Sequence, residues 1–178
     1  MRKYFVAFFA WAVLFVANPA AWSQAIPYKP GRYSWKVDGG LIQLVAASYT
    51  NRNSFDNRAY TFYFESADKK QLYIVPVTGT KPGDTVLTTT SAAGGDWLFT
   101  DLAVRRQGNV LHLIKVRQDT TSGWAESGDL TVERYLLKKG DDEEFPYQFV
   151  QQTKTTTPAA PRVSVDEVLK QQLKSATR

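Results

Sequence analysis

From Tyr33 to Val150 the chain alternates apolar and polar residues with a period of two, in short runs broken by Gly, Pro, Asn and Asp. That rhythm puts alternate side chains on opposite faces of an extended strand, and a chain dominated by it folds as sheet. The clearest run is Tyr60, Phe62 and Phe64 alternating with Thr61, Tyr63 and Glu65. The next is Gln71–Val77, with apolar residues on both faces, as expected of a strand that is central or lies where two sheets meet. Asp68-Lys69-Lys70 reads as the hairpin turn between them, and Pro76 marks an edge or a bulge near the end of the second run. Lys81-Pro82-Gly83-Asp84 and Ala93-Gly94-Gly95 are further breaks around a short Thr85–Thr89 strand.

Trp97–Arg105 and Val110–Arg117 flank Gln107-Gly108-Asn109, a second hairpin. Leu130–Lys138 and Phe145–Val150 follow, and Arg32–Val37 and Leu41–Tyr49 precede. The sum is about nine strands at the spacing of sandwiches and barrels, and no internal repeat suggests a propeller or solenoid. The fold class expected is therefore all-β, an antiparallel β-sandwich over 26–151. Thr153–Pro161 is rich in Thr, Ala and Pro and reads as part of a linker spanning 152–163. A C-terminal amphipathic helix over 164–176 should close the chain. Ser164 and Glu167 have the capping-box spacing, and Val165, Val168, Leu169 and Leu173 fall on one face.

The first 25 residues read as a secretory signal. Arg2 and Lys3 precede an uncharged apolar stretch from Tyr4 to Ala17, Asn18-Pro19 breaks it, and Ser23 and Ala25 stand where a signal peptidase reads small residues. The stretch is shorter than the roughly 20 residues a spanning helix needs. Cleavage after Ala25 removes two bases and no acid, leaving 153 residues with 20 basic and 17 acidic side chains. The protein is expected to be periplasmic, with no membrane span after signal removal and no nucleic-acid partner, because its basic residues occur only as scattered pairs.

The absence of cysteine excludes disulfides, thiolate nucleophiles, Fe–S clusters and Cys-based zinc sites, and one His excludes a multi-histidine metal centre. No cofactor, metal or catalytic residue is expected. His112 is in phase with Val110, Ile114 and Val116 and reads as a half-buried strand residue. Ser66-Ala-Asp-Lys69 matches the Ser-x-x-Lys pattern of penicillin-recognising enzymes, but it spans a strand end and a turn, and no Ser-Asp-Asn or Lys-Thr-Gly element follows. Asp96, Asp101, Asp119, Glu126 and Asp129 lie near loops, with no spacing that ties two into a glycosidase pair. The candidate ligand- or partner-binding residues are Trp124, isolated in a polar loop, with Arg117 and Asp119 at that loop's start.

Several segments together carry a family likeness: Tyr60-Thr-Phe-Tyr-Phe64, the Leu72–Val77 strand, Gly95-Asp96, and Leu98-x-x-Asp101-Leu-x-Val-x-Arg106. The Arg117–Asp129 loop, the Leu130–Leu137 strand and Pro146-Tyr147-x-Phe149 complete the order. In this order the chain resembles the CarG-like carbapenem intrinsic-resistance proteins over most of residues 59–150, departing from them where Trp97, not Cys, follows Gly95-Asp96. The resemblance implies a periplasmic β-sandwich, a homodimer, and non-enzymatic protection against a β-lactam, in concert with a CarF-like second periplasmic protein. It carries over no set of binding residues. The alternative expectation is a periplasmic interaction module, such as a toxin-immunity protein or an envelope-assembly subunit.

Overall fold

A computed structural model describes residues 28–50, 57–81, 83–94, 97–120, 128–141, 143–158 and 163–174. It contains twelve strands and one helix, in two sheets. The smaller sheet is built on β1 (Gly31–Val37), β2 (Gly40–Tyr49) and β3 (Asn57–Ser66). Beyond β3 lie β4 (Leu72–Ile74) and β7 (Thr88–Thr90), both antiparallel to it, at its Tyr63–Glu65 and Ala59–Thr61 stretches respectively. The larger sheet runs in the order β6-β5-β12-β11-β10-β9-β8. Its members are β5 (Val77–Thr78), β6 (Thr85–Val86), β8 (Ala92–Gly94), β9 (Trp97–Gln107), β10 (Val110–Gln118), β11 (Leu130–Lys139) and β12 (Tyr147–Thr157).

The expected all-β sandwich with a C-terminal helix is the observed fold. Twelve strands replace nine because the Leu72–Val77 and Thr85–Thr89 runs each split between sheets and β8 is added. Val75 donates its N–H to Phe62 O in the smaller sheet, whereas Pro76 O accepts the N–H of Phe149 in the larger. Pro76 has no N–H to offer a ladder, so the chain leaves one sheet here and joins the other. The two faces of this run are both apolar because the run spans the join. It enters the larger sheet parallel to β12, the one parallel pairing among the described residues. The expected break at Ala93-Gly94-Gly95 begins inside the edge strand β8, which takes in Ala93 and Gly94.

The inner faces enclose one core. Ile42, Leu44, Tyr60, Phe62 and Phe64 from the smaller sheet meet Leu102, Val104, Leu111, Leu113 and Phe149 from the larger. The Phe62 and Phe149 rings meet edge to face, with centroids 4.9 Å apart, an arrangement that adds to their burial energy. The hairpin turns follow their residues: Lys69 has φ +59°, and Gly108, first of two loop residues between β9 and β10, has φ +58°.

The expected linker is strand as far as Thr157. Residues 152–157 extend β12, with Thr153–Thr157 pairing Arg134–Leu130 of β11. Threonine suits an exposed β ladder, so composition that reads as extended linker is extended strand.

The helix α1 (Val165–Lys174) packs against β9 and β10 on the outer face of the larger sheet. Val165 and Leu169 are fully buried there with Ala103, Ile114, Val116 and Leu130. The capping box forms as expected: Glu167 Oε2 accepts the Ser164 N–H at 3.2 Å, and Ser164 Oγ accepts the Glu167 N–H. A ten-residue helix is marginal alone, so burial of this stripe holds it. Leu169→Ala should cost about 2–5 kcal/mol, and ending the chain at Pro158 should lower the melting temperature by exposing Ile114 and Val116. Thermal unfolding followed by circular dichroism checks both. An unchanged melting temperature in both would show that the helix contributes nothing to the core.

Candidate functional site

Arg117 is the penultimate residue of β10, and Asp119 follows the strand's last residue. Asp119 is exposed, and its backbone N–H donates to Asp129 O at 2.8 Å, tying the chain after β10 to the chain before β11. Trp124 lies outside the described residues. Arg117 enters a pocket of about 200 Å³ that Asp119 does not line.

The pocket is made by strand periodicity. On β10, Leu111 and Leu113 face the inner core, so Lys115 and Arg117, two and four residues on, continue the same face past its covered part. Glu133 and Tyr135 stand beside them on β11, and Lys154 on β12. The ladder pairs Lys115 with Glu133 and Glu133 with Lys154, a row of alternating charge across three strands. Glu133 Oε1 lies 3.3 Å from Lys154 Nζ, and Glu133 Oε2 accepts the Tyr135 hydroxyl at 3.0 Å. Burial, together with the Glu133 charge, pushes the Tyr135 phenol well above its ordinary range, so it stays a donor.

The far rim is the turn between β5 and β6. Gly79 donates its N–H to Asp84 O at 2.6 Å, and Asp84 donates its own to Lys81 O at 3.0 Å. A side chain at position 79 would collide with the Asp84 carboxylate, so glycine there lets Asp84 lean over the pocket. The sequence singles out only Arg117 among these residues as a binding candidate: Lys115 and Glu133 lie within expected strands with no mark of a site, and Lys154 falls in the expected linker, which the structure shows as strand.

A second polar cluster sits where β7 and β8 carry the chain from one sheet to the other. Asp101 on β9 is 1 % exposed, and its Oδ1 accepts the Tyr60 hydroxyl at 2.7 Å, while Oδ2 is buried with no hydrogen-bond partner. Desolvation raises its pKa from 3.8 to about 6, against the lowering effects of Tyr60, the Leu102 N–H and Arg58; Asp166 on α1 raises it further. Tyr28 is completely buried beside it, edge-on to Tyr60 at 6.1 Å, and its hydroxyl accepts the Val104 N–H at 3.0 Å. The sequence places Asp101 near a loop. No periodic signal marks a carboxyl that two sheets enclose, or a tyrosine that plugs the core ahead of β1.

His112 is half-buried between Arg105 and Leu136, and burial together with the Arg105 charge lowers its pKa. Ser66 and Lys69 belong to a turn: Ser66 Oγ donates to Asp68 Oδ1 at 2.6 Å and accepts the Gln71 N–H at 3.1 Å. Among the described residues there is no group of three or more metal-ligating side chains. No helix there is long and apolar enough to cross a membrane.

No protein-family model matches the chain, and no curated protein matches it in sequence. Among solved structures, the fold is similar to the crystal structure of CarG, with a TM-score of 0.62 and 19% sequence identity over 80% of this chain and 92% of that one. The sandwich and its C-terminal helix thus have the CarG type of fold.

The buried acid gives a test of the cluster. A carboxyl whose folded pKa lies above its unfolded value holds its proton more tightly in the native state. The Asp101 contribution is therefore greatest below about pH 4 and is lost as pH rises through about 6, a change of about 3 kcal/mol. His112, shifted down, contributes the opposite slope near pH 6, so the Asp101 effect is read as a difference between two proteins. Asp101→Asn keeps an acceptor for Tyr60 and should gain stability relative to the parent between pH 4 and 6. Urea unfolding across that range checks it, and parallel stability curves would refute the assignment.

Proposed function

We propose that the chain is an exported, non-enzymatic protective protein of the CarG type, acting in the periplasm by binding a β-lactam or a partner protein rather than by hydrolysing the drug. The observation that carries this reading is the backbone likeness, which extends over 92% of the CarG chain. The chemistry of the chain is in keeping with it. The Ser-x-x-Lys match is locked into a turn by Asp68 and Gln71, and the ladder neighbours of His112 are an arginine and a leucine. A small charged pocket suits binding better than bond cleavage, which requires a nucleophile held against a base. Residues 1–25 act as the export signal, and a homodimer and a CarF-like partner belong to the same proposal.

A second reading, an interaction module such as an immunity or assembly subunit, is favoured by the edge of β12. Past its two-residue contact with β5, this strand has a ladder partner on one side only among the described residues. An extended peptide could add a strand there. The helix does not supply that argument, since its apolar stripe is buried on its own sheet.

The test is survival of a carbapenem-susceptible Gram-negative host carrying the full chain, compared with a copy lacking residues 1–25. Protection is expected only with the export segment, with the drug intact in the culture. Disappearance of the drug, measured spectrophotometrically with purified protein, would replace the binding reading with a hydrolytic one. His112→Gln should leave protection unchanged.

A further inference from the structure

The charges of the pocket at the end of the inner face do not cancel. Three cations, Lys115, Arg117 and Lys154, line it with two carboxylates, Glu133 and Asp84. Glu133 is already committed, one oxygen to Lys154 and the other to the Tyr135 hydroxyl. Neither Lys115 nor Arg117 forms an ion pair among the described residues. Two side chains of one strand thus bring uncommitted positive charge to a concave surface, next to an acid that Lys154 and Tyr135 already hold.

We infer that this pocket is a carboxylate-binding site, in which Arg117 and Lys115 are the counter-ions and the Glu133–Lys154–Tyr135 set holds the wall. Size and charge select the ligand. About 200 Å³ is less than the roughly 300 Å³ at which pockets begin to hold drug-sized molecules. The site therefore takes a small carboxylate, or the carboxylate end of a larger molecule whose remainder stays outside. One net positive charge is neutralised by one carboxylate. A phosphate group, with nearly two negative charges, would be repelled by Glu133 and Asp84. The planar arginine fork matches carboxylate geometry with two parallel hydrogen bonds. In the setting of the proposed function, the group held is the carboxylate that β-lactams carry, and to that extent the inference rests on the drug-binding reading.

The experiment is a titration of 15N-labelled protein, produced from the full chain, with acetate, inorganic phosphate and a carbapenem in separate arms at constant ionic strength. Amide shifts at Lys115, Arg117, Glu133, Tyr135 and Lys154 are followed. Acetate or the carbapenem should give saturable shifts at these amides, and Lys115→Gln with Arg117→Gln should weaken binding about tenfold or more, as expected for lost charge-assisted bonds. Glu133→Gln removes a repelling charge and should tighten carboxylate binding, which a purely structural role for these residues would not produce.

Acetate shifts without carbapenem shifts would support the pocket and refute the drug as its ligand. Carbapenem shifts elsewhere, insensitive to the Lys115 and Arg117 changes, would overturn the pocket and leave drug binding intact. Phosphate binding tighter than acetate, or no saturable shift in any arm, would overturn the carboxylate assignment.

Discussion

The third strand cannot sit anywhere but the centre of its sheet, and much of the molecule follows from that. It has β2 along one edge and two short strands, β4 and β7, end to end along the other. Its inner face carries three large rings in a row: Tyr60, Phe62 and Phe64. Phe62 meets Phe149 and Phe64 meets Tyr147, so β3 fixes where β12 must lie in the opposite sheet. Tyr60 fixes the other end by holding Asp101 of β9. Aromatic burial supplies most of that energy, while the single hydrogen bond from Tyr60 gives an otherwise costly buried acid a partner.

The segment from Leu72 to Gly94 joins the two sheets. It leaves the smaller sheet at Pro76, contributes β5 and β6 to one margin of the larger, returns as β7 beside β3, and ends as β8 on the far margin. Each piece is two or three residues long. Short strands at margins leave little unpaired backbone for unwanted pairing. The same crossing leaves part of the larger sheet's inner face uncovered beyond Leu113, and there Lys115 and Arg117 meet the β5–β6 turn. The pocket is a consequence of how the sandwich is joined, and so its charges come from segments distant in the sequence.

How much could be read beforehand differs by element. Runs with strict alternation, such as Tyr60–Glu65 and Val110–Arg117, identify themselves, because one buried face imposes a period of two. Hairpins at Asp68–Lys70 and Gly108–Asn109 declare themselves through residues that tolerate their backbone angles. The capping box at Ser164 and Glu167 is equally local. Thr153–Thr157 misleads, since the same threonines serve an extended linker and an exposed strand, and only the partner Leu130–Arg134 distinguishes them. Arg117 is legible as a binding candidate from its place before a polar loop. Lys115, Glu133 and Lys154 are not, because no local pattern marks them as a site and only three strands bring them together.

By itself, then, the sequence determined the all-β class, the principal hairpins and the amphipathic character of the last helix, all set by interactions between residues a few positions apart. Tertiary structure alone decided which sheet each short strand joins and that the helix lies on β9 and β10. It also decided that Asp101 loses its water, and that Arg117 and Lys154 line one pocket of the larger sheet. Those outcomes depend on contacts between residues tens of positions apart, where burial is set by what the other sheet covers, and no local period in the chain encodes that.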